Sequence, residues 1–230
     1  MSSPPDFRNG NILRLEFPRE VAERIVPINS RSIDSLGAAP AERFATQGCI
    51  VFATVRNVTK LEGLSASIVM LALDVLSDAS VHAAVENVIA QAGRIDILVN
   101  CAGTDHVRAL LDRGMEDIEA LFQTNVFGTM RVTKASFSLY LSLPAPINGN
   151  TAAPRYRANS PSKAALHSYT DTLAMDLHPF NINVLALALG MTIDARLSQD
   201  PDVMRAGAFA AKTVRMALSV KSPGHACFGG

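Results

Sequence analysis

The stretch from Ser65 to Gly103, SASIVMLALDVLSDASVHAAVENVIAQAGRIDILVNCAG, restricts the fold more than any other part of the chain. Residues 68–73 are an unbroken apolar run closed by Asp74, the pattern of a parallel strand buried on both faces. Ser77 or Asp78 is placed to cap a helix by accepting orphan backbone N–H bonds. Val81, Ala84, Val85, Val88 and Ala92 then recur at helical spacing, and Gly93 offers the left-handed stop. Residues 95–99 read as a second buried strand, ending in Asn100, Cys101, Ala102 and Gly103. A strand–helix–strand unit of this length is a right-handed crossover that brings two strand ends side by side. Ligands of open α/β sheets bind at that edge.

Asp74-Val75 and Asn100-Cys101-Ala102-Gly103, one crossover apart, resemble two turns of the short-chain dehydrogenases/reductases. These are the adenine-binding acidic turn and the Asn-Asn-Ala-Gly turn, with Cys101 in place of the second Asn. GCIVFATVRNVTKLEGL, residues 48–64, resembles the branch around fungal acyl-dihydroxyacetone-phosphate reductases and retinol dehydrogenases. The resemblance implies a Rossmann-like, doubly wound parallel α/β sheet in a single domain, with strand order 3-2-1-4-5-6. That domain is expected over residues 21–230, after an N-terminal extension, residues 1–20, which has no clear periodicity. Residues 25–28 fall where the first, central strand belongs, although Pro27 removes a ladder donor there.

The resemblance also assigns a cofactor edge. The family's Gly-rich turn lets a pyrophosphate approach a helix N-terminus. Here only its last glycine, Gly37, survives, so Leu36 and Gly37 are the expected contacts of that turn. At the end of the second strand, where NAD-preferring relatives carry an acid, stands Arg56, which suits a 2′-phosphate. The expected cofactor is therefore NADP(H), held by Leu36, Gly37, Arg56, Asp74, Val75, Asn100, Ala102, Gly103, Arg131 and Lys163.

The catalytic pattern is incomplete. Asn159-Ser160-Pro161-Ser162-Lys163 resembles Tyr-Ser-Ala-Ser-Lys, in which a lysine one helical turn after a tyrosine lowers the phenol's pKa. Lys163 is in place and Asn159 occupies the tyrosine position, reading best as a helix cap. Tyr156 is the remaining phenol candidate, and Asn125 matches the family Asn whose main chain positions a water relay. Residues 142–150, SLPAPINGN, stand where relatives have a fifth strand ending in the catalytic serine; strand 5 is expected to be short or missing. A helix is expected over 115–141 and a strand over 182–188. The chain stops near where relatives begin a last strand and a substrate-covering tail, which reads as a truncated C-terminus.

Lys plus Arg and Asp plus Glu each number 21, so no net field recommends nucleic acid or an anionic membrane. The three cysteines have neither zinc spacing nor a paired count, and no metal site is expected. The longest apolar run is too short to span a bilayer, and the first residues lack the pattern of a signal peptide. These features point to the cytoplasm, with peripheral attachment to a membrane or lipid droplet left open, and are compatible with a homo-oligomer. By resemblance the chain reduces a ketone or aldehyde with NADP(H), or runs the reverse, in lipid or secondary metabolism. The alternative is a repurposed scaffold, either a non-redox cyclase-type catalyst or a nucleotide- or partner-binding protein.

Overall fold

The computed structural model describes residues 13–15, 23–29, 38–104, 114–138, 159–180, 182–184, 186–189, 206–218 and 225–228. Four apolar segments, β2 (Ile25–Asn29), β3 (Ile50–Val55), β4 (Val69–Ala72) and β5 (Ile97–Asn100), run parallel in the order β4-β3-β2-β5. Alternation along these strands separates two cores. Val26, Ile28, Val51, Ala53 and Val55 face Ala41 and Phe44 of α1 (Ala38–Ala45) and Val214 and Ala217 of α6 (Ala206–Leu218). Ile25, Phe52 and Leu98 face Val81, Val85 and Val88 of α2 (Asp78–Ala92) and Val132 and Ala135 of α4 (Gly128–Ser138). Helices on both faces of a parallel sheet make this a doubly wound, Rossmann-like fold.

The helix read from the sequence at 78–92 is present with both ends as expected. Ser77 accepts a bond from the Ser80 N–H, and Gly93 closes the helix at φ 76°. Pro27 sits within β2 at little cost to the ladder with β3, which is continuous from Ile25 to Asn29. Ile25 and Asn29 direct their carbonyls at Asp96 and Cys101 on the β5 side, so two-residue alternation turns Pro27 that way too. The lost donor therefore falls on the β5 side, where register pairing covers only Ile28 and Asn29.

Three expectations change. The 68–73 run is not buried on both faces: β4 is the outermost strand, with Met70 45% exposed and Ala72 exposed on the same face. The helix expected over 115–141 is divided into α3 (Met115–Phe122), a π-turn (Gln123–Phe127) and α4, and the described part ends at Ser138. The strand expected over 182–188 is two strands. β6 (Ile182–Asn183) stays in the main sheet, and β7 (Ala186–Leu189) pairs in parallel with β8 (His225–Phe228).

The largest difference lies between β5 and β6, where the family order calls for a fifth parallel strand. The segment that fills this slot is β1 (Leu13–Leu15), antiparallel to both neighbours. Leu13 faces Leu98 and Arg14 faces Ile97 on one side; Arg14 faces Asn183 and Leu15 faces Ile182 on the other. Residues 142–150 lie outside the described residues. Three residues are too few for a periodicity, so nothing local marked this segment as a strand.

Candidate nucleotide crevice

The carboxyl ends of β3, β4 and β5 open into one cavity of about 390 Å³. Its lining combines Arg56, Asn57 and Lys60 after β3, Asp74 and Val75 after β4, and Ala102, Gly103 and Thr104 after β5. Thr124 of the π-turn closes it from above. Each loop is set by local chemistry. Asn57 caps a short 3₁₀ turn, Val58–Leu61, by accepting from the Thr59 N–H at 3.1 Å, while Leu61 is fully buried beneath. That turn carries Lys60 to the same rim as Arg56. Asp74 shapes its own turn: its Oδ1 accepts from the Leu76 N–H at 3.0 Å, and its N–H donates to Ser80 Oγ at 2.9 Å. Val75 is buried, and Gly128 of α4 packs directly on it. A Cβ at Gly128 would stand 2.8 Å from Val75 Cγ2, so glycine sets how closely α4 approaches this rim.

The turn after β5 is held from below. Asn29 Oδ1 accepts from the backbone N–H groups of Cys101 and Ala102, both at 2.8 Å. Asn29 Nδ2 donates to Asn100 Oδ1, and Asn100 Nδ2 donates to Thr133 Oγ1 at 3.1 Å. Asn125 grips the next residue, accepting from the Thr104 N–H at 2.7 Å and donating to its carbonyl at 2.9 Å. Asn125 is 2% exposed and lies in the π-turn, a distortion often found at functional sites. Its Nδ2 also reaches Ser162 Oγ, 3.5 Å away, on α5 (Asn159–Leu177). Gly103 is confined as well: a Cβ there would meet Asn125 Oδ1 at 3.4 Å.

Lys163 is exposed on α5, and its ammonium lies close enough to Cys101 to pull that thiol's pKa down. Burial outweighs the lysine, and the Cys101 pKa is pushed up to about 11. Tyr169 lies on the same helix, and burial raises its pKa, with the Thr133 hydroxyl working against the shift. Arg131 lies behind Val75 and outside the crevice lining. It pairs with Asp78 at 3.1 Å, and reaches the Val75 carbonyl at 3.5 Å and Gln123 Oε1 at 3.2 Å.

The structure thus brings Arg56, Asp74, Val75, Ala102 and Gly103 around one cavity, with Asn100 and Asn125 supporting its β5 side. Leu36, Gly37 and Tyr156 lie outside the described residues, and Asn159 is described only as the first residue of α5. The sequence reading missed Asn29, Asn57, Lys60 and Gly128. Lys60 had a signal, since it follows Arg56 by one turn; Asn29 had none, because its partners are distant in sequence. Among the described residues no group of His, Cys, Asp and Glu could hold a metal ion, and no helix is long and apolar enough to cross a membrane.

Residues 32–201 match the family model described as short chain dehydrogenase. A short-chain dehydrogenase/reductase of Pestalotiopsis microspora is 33% identical over 170 residues, covering 74% of this chain and 59% of that protein. The NADPH-dependent 1-acyldihydroxyacetone phosphate reductase of Schizosaccharomyces pombe is 30% identical over 177 residues, covering 74% of this chain and 60% of that one. The crystal structure of a short-chain dehydrogenase from Streptomyces avermitilis superposes with a TM-score of 0.76 at 23% identity, over 91% of this chain and 89% of that one. The chain spans about three-fifths of the length of these curated relatives.

Proposed function

The chain belongs to the short-chain dehydrogenase family, whose members bind a nicotinamide cofactor, and from that premise we propose that it is an NADP(H)-dependent oxidoreductase acting on a ketone or aldehyde, or on the corresponding alcohol. The observation that carries the reading is the rim of the crevice. Arg56 and Lys60 stand together on the rim, suited to a 2′-phosphate, and residues 56–61 at the end of β3 carry no carboxylate to hold free ribose hydroxyls. Asp74 and Val75 would bracket the adenine, and the narrow Ala102-Gly103 turn lets a planar group approach backbone. When bound, the dinucleotide supplies or accepts the hydride. Lys163 adds positive charge beside Cys101, suited to a ribose hydroxyl and to a developing alkoxide.

The substrate class extends the same reading. The Schizosaccharomyces pombe relative is named for an acyldihydroxyacetone phosphate, and this supports lipid-like or secondary-metabolite carbonyls as the first compounds to assay. The described cysteines, Cys49 and Cys101, are not joined in a disulfide, which supports a cytoplasmic setting. The second reading, a scaffold repurposed for binding or non-redox chemistry, is favoured by Asn159, which stands at the tyrosine position of the lysine motif.

Titrating the protein with NADPH and NADH by nucleotide fluorescence separates the two. NADPH should bind at least about tenfold tighter than NADH, and Arg56→Ala or Lys60→Ala should each remove much of that preference. Equal affinity for both nucleotides removes the role of the two cations, and no binding of either favours the repurposed scaffold.

A further inference from the structure

A second cavity, of about 450 Å³, opens between the start of α2 and the π-turn and α4, and shares no lining residue with the crevice. That volume falls in the range of small-molecule sites. Its lining has two characters. Val81, Phe127 and Met130 supply an apolar side, on which the Phe127 ring is 44% exposed. Arg131 and Lys134 supply cations, against the single carboxylate of Asp78 among the described lining residues. The Arg131 guanidinium has five N–H donors, and three are engaged: Nε with Asp78 at 3.1 Å, Nη1 with the Val75 carbonyl at 3.5 Å and Nη2 with Gln123 Oε1 at 3.2 Å. One N–H on each Nη is left for a further oxygen. The Asp78 side chain is 79% exposed, and an ion pair so open to solvent is weak enough for a second carboxylate to share or displace it. Lys134 stands three residues after Arg131 on the same helix, and the first turn of α2 adds the positive end of its dipole.

We propose that this cavity binds an amphipathic carboxylate, a fatty-acid-like anion whose head meets Arg131 and Lys134 and whose chain lies along Val81, Phe127 and Met130. Neither half of the lining suffices alone. Exposed cations hold a small carboxylate weakly, because solvent competes for both charges. A neutral chain would cover the Phe127 ring and leave the cations unused. The site stands apart from the crevice and does not depend on the nucleotide reading.

Isothermal titration of the full-length chain with decanoate, kept below its micelle-forming concentration, tests the site. Decanoate should bind saturably, one per chain. Decanol, which lacks the charge, should bind at least about tenfold more weakly, and acetate, which lacks the chain, should give no measurable binding. Lys134→Glu should weaken decanoate at least about tenfold and Phe127→Ser about threefold or more, whereas Lys134→Arg should stay within about twofold of the parent. Lys134 and Phe127 are exposed, so these variants should keep the parent's urea midpoint. Lys60→Glu, at the crevice, should leave decanoate affinity unchanged. Absence of saturable binding, or equal binding of decanol and decanoate, overturns the site. Affinity unchanged within about twofold in both Lys134→Glu and Phe127→Ser overturns it too. Binding lost in Lys60→Glu and kept in Lys134→Glu would place the anion in the crevice instead.

Discussion

At the scale of single residues, two positions have consequences that reach beyond their contacts. Gly128 allows α4 to touch Val75, and a methyl group there has nowhere to go without moving the acidic turn. Gly128→Ala should destabilise the protein by about 1–3 kcal/mol in urea unfolding and weaken nucleotide binding, although alanine is the better helix former. The cysteines make stability depend on pH. Burial pushes Cys49 and Cys101 up to about 11 from an ordinary 9.0, with Arg24 and Lys163 respectively working against the shift. Between these values the folded chain keeps protons that the unfolded chain has released, so stability falls as pH rises from about 9 to about 11. Melting temperatures across that window should fall less steeply in Cys49→Ser/Cys101→Ser than in the parent. Equal slopes would show that other groups dominate.

At the scale of elements, β1 departs from the strand order the resemblance implied, and the π-turn divides the long helix expected after β5. β1 bridges β5 and β6, and Arg14 is in register with a residue on each side. Proline at that position removes the N–H of the central residue of a three-residue strand. Arg14→Pro should therefore cost about 1–3 kcal/mol of stability, read as a lower urea midpoint. An unmoved midpoint in Arg14→Pro would show that β1 contributes nothing to the sheet. The π-turn sends the Asn125 side chain to Thr104 and Ser162 at once, so it joins the loop after β5 to the start of the Lys163 helix.

At the scale of the whole molecule, the proposed function separates nucleotide binding from chemistry. The crevice is built from three strand ends, whereas the motif that residues 159–163 resemble takes its proton from a phenol one turn before the lysine, where Asn159 stands. We expect the native chain to turn over an aldehyde panel with NADPH slowly, because a positioned acid is typically worth about 10²–10⁴-fold in rate. Asn159→Tyr should raise turnover if the substrate side of the site is otherwise sound. Strong native activity abolished by Tyr156→Phe would instead assign the acid to Tyr156.

Local order was readable without a structure wherever it repeats or caps itself. The α2 helix with its Ser77 and Gly93 ends follows from periodicity and caps, while the order β4-β3-β2-β5 and the cluster of Arg56, Asp74, Ala102 and Gly103 were implied by the family resemblance that two short motifs, one crossover apart, carry. These are properties of neighbours along the chain. Which segment fills the slot beside β5 is decided elsewhere, because backbone donors and acceptors carry no residue code and any short extended piece satisfies them. The grip of Asn29 on Cys101, 72 residues away, is likewise invisible along the chain. An asparagine's partners are set by what folding brings beside it, and here that is the backbone of the turn after β5, which lines the crevice.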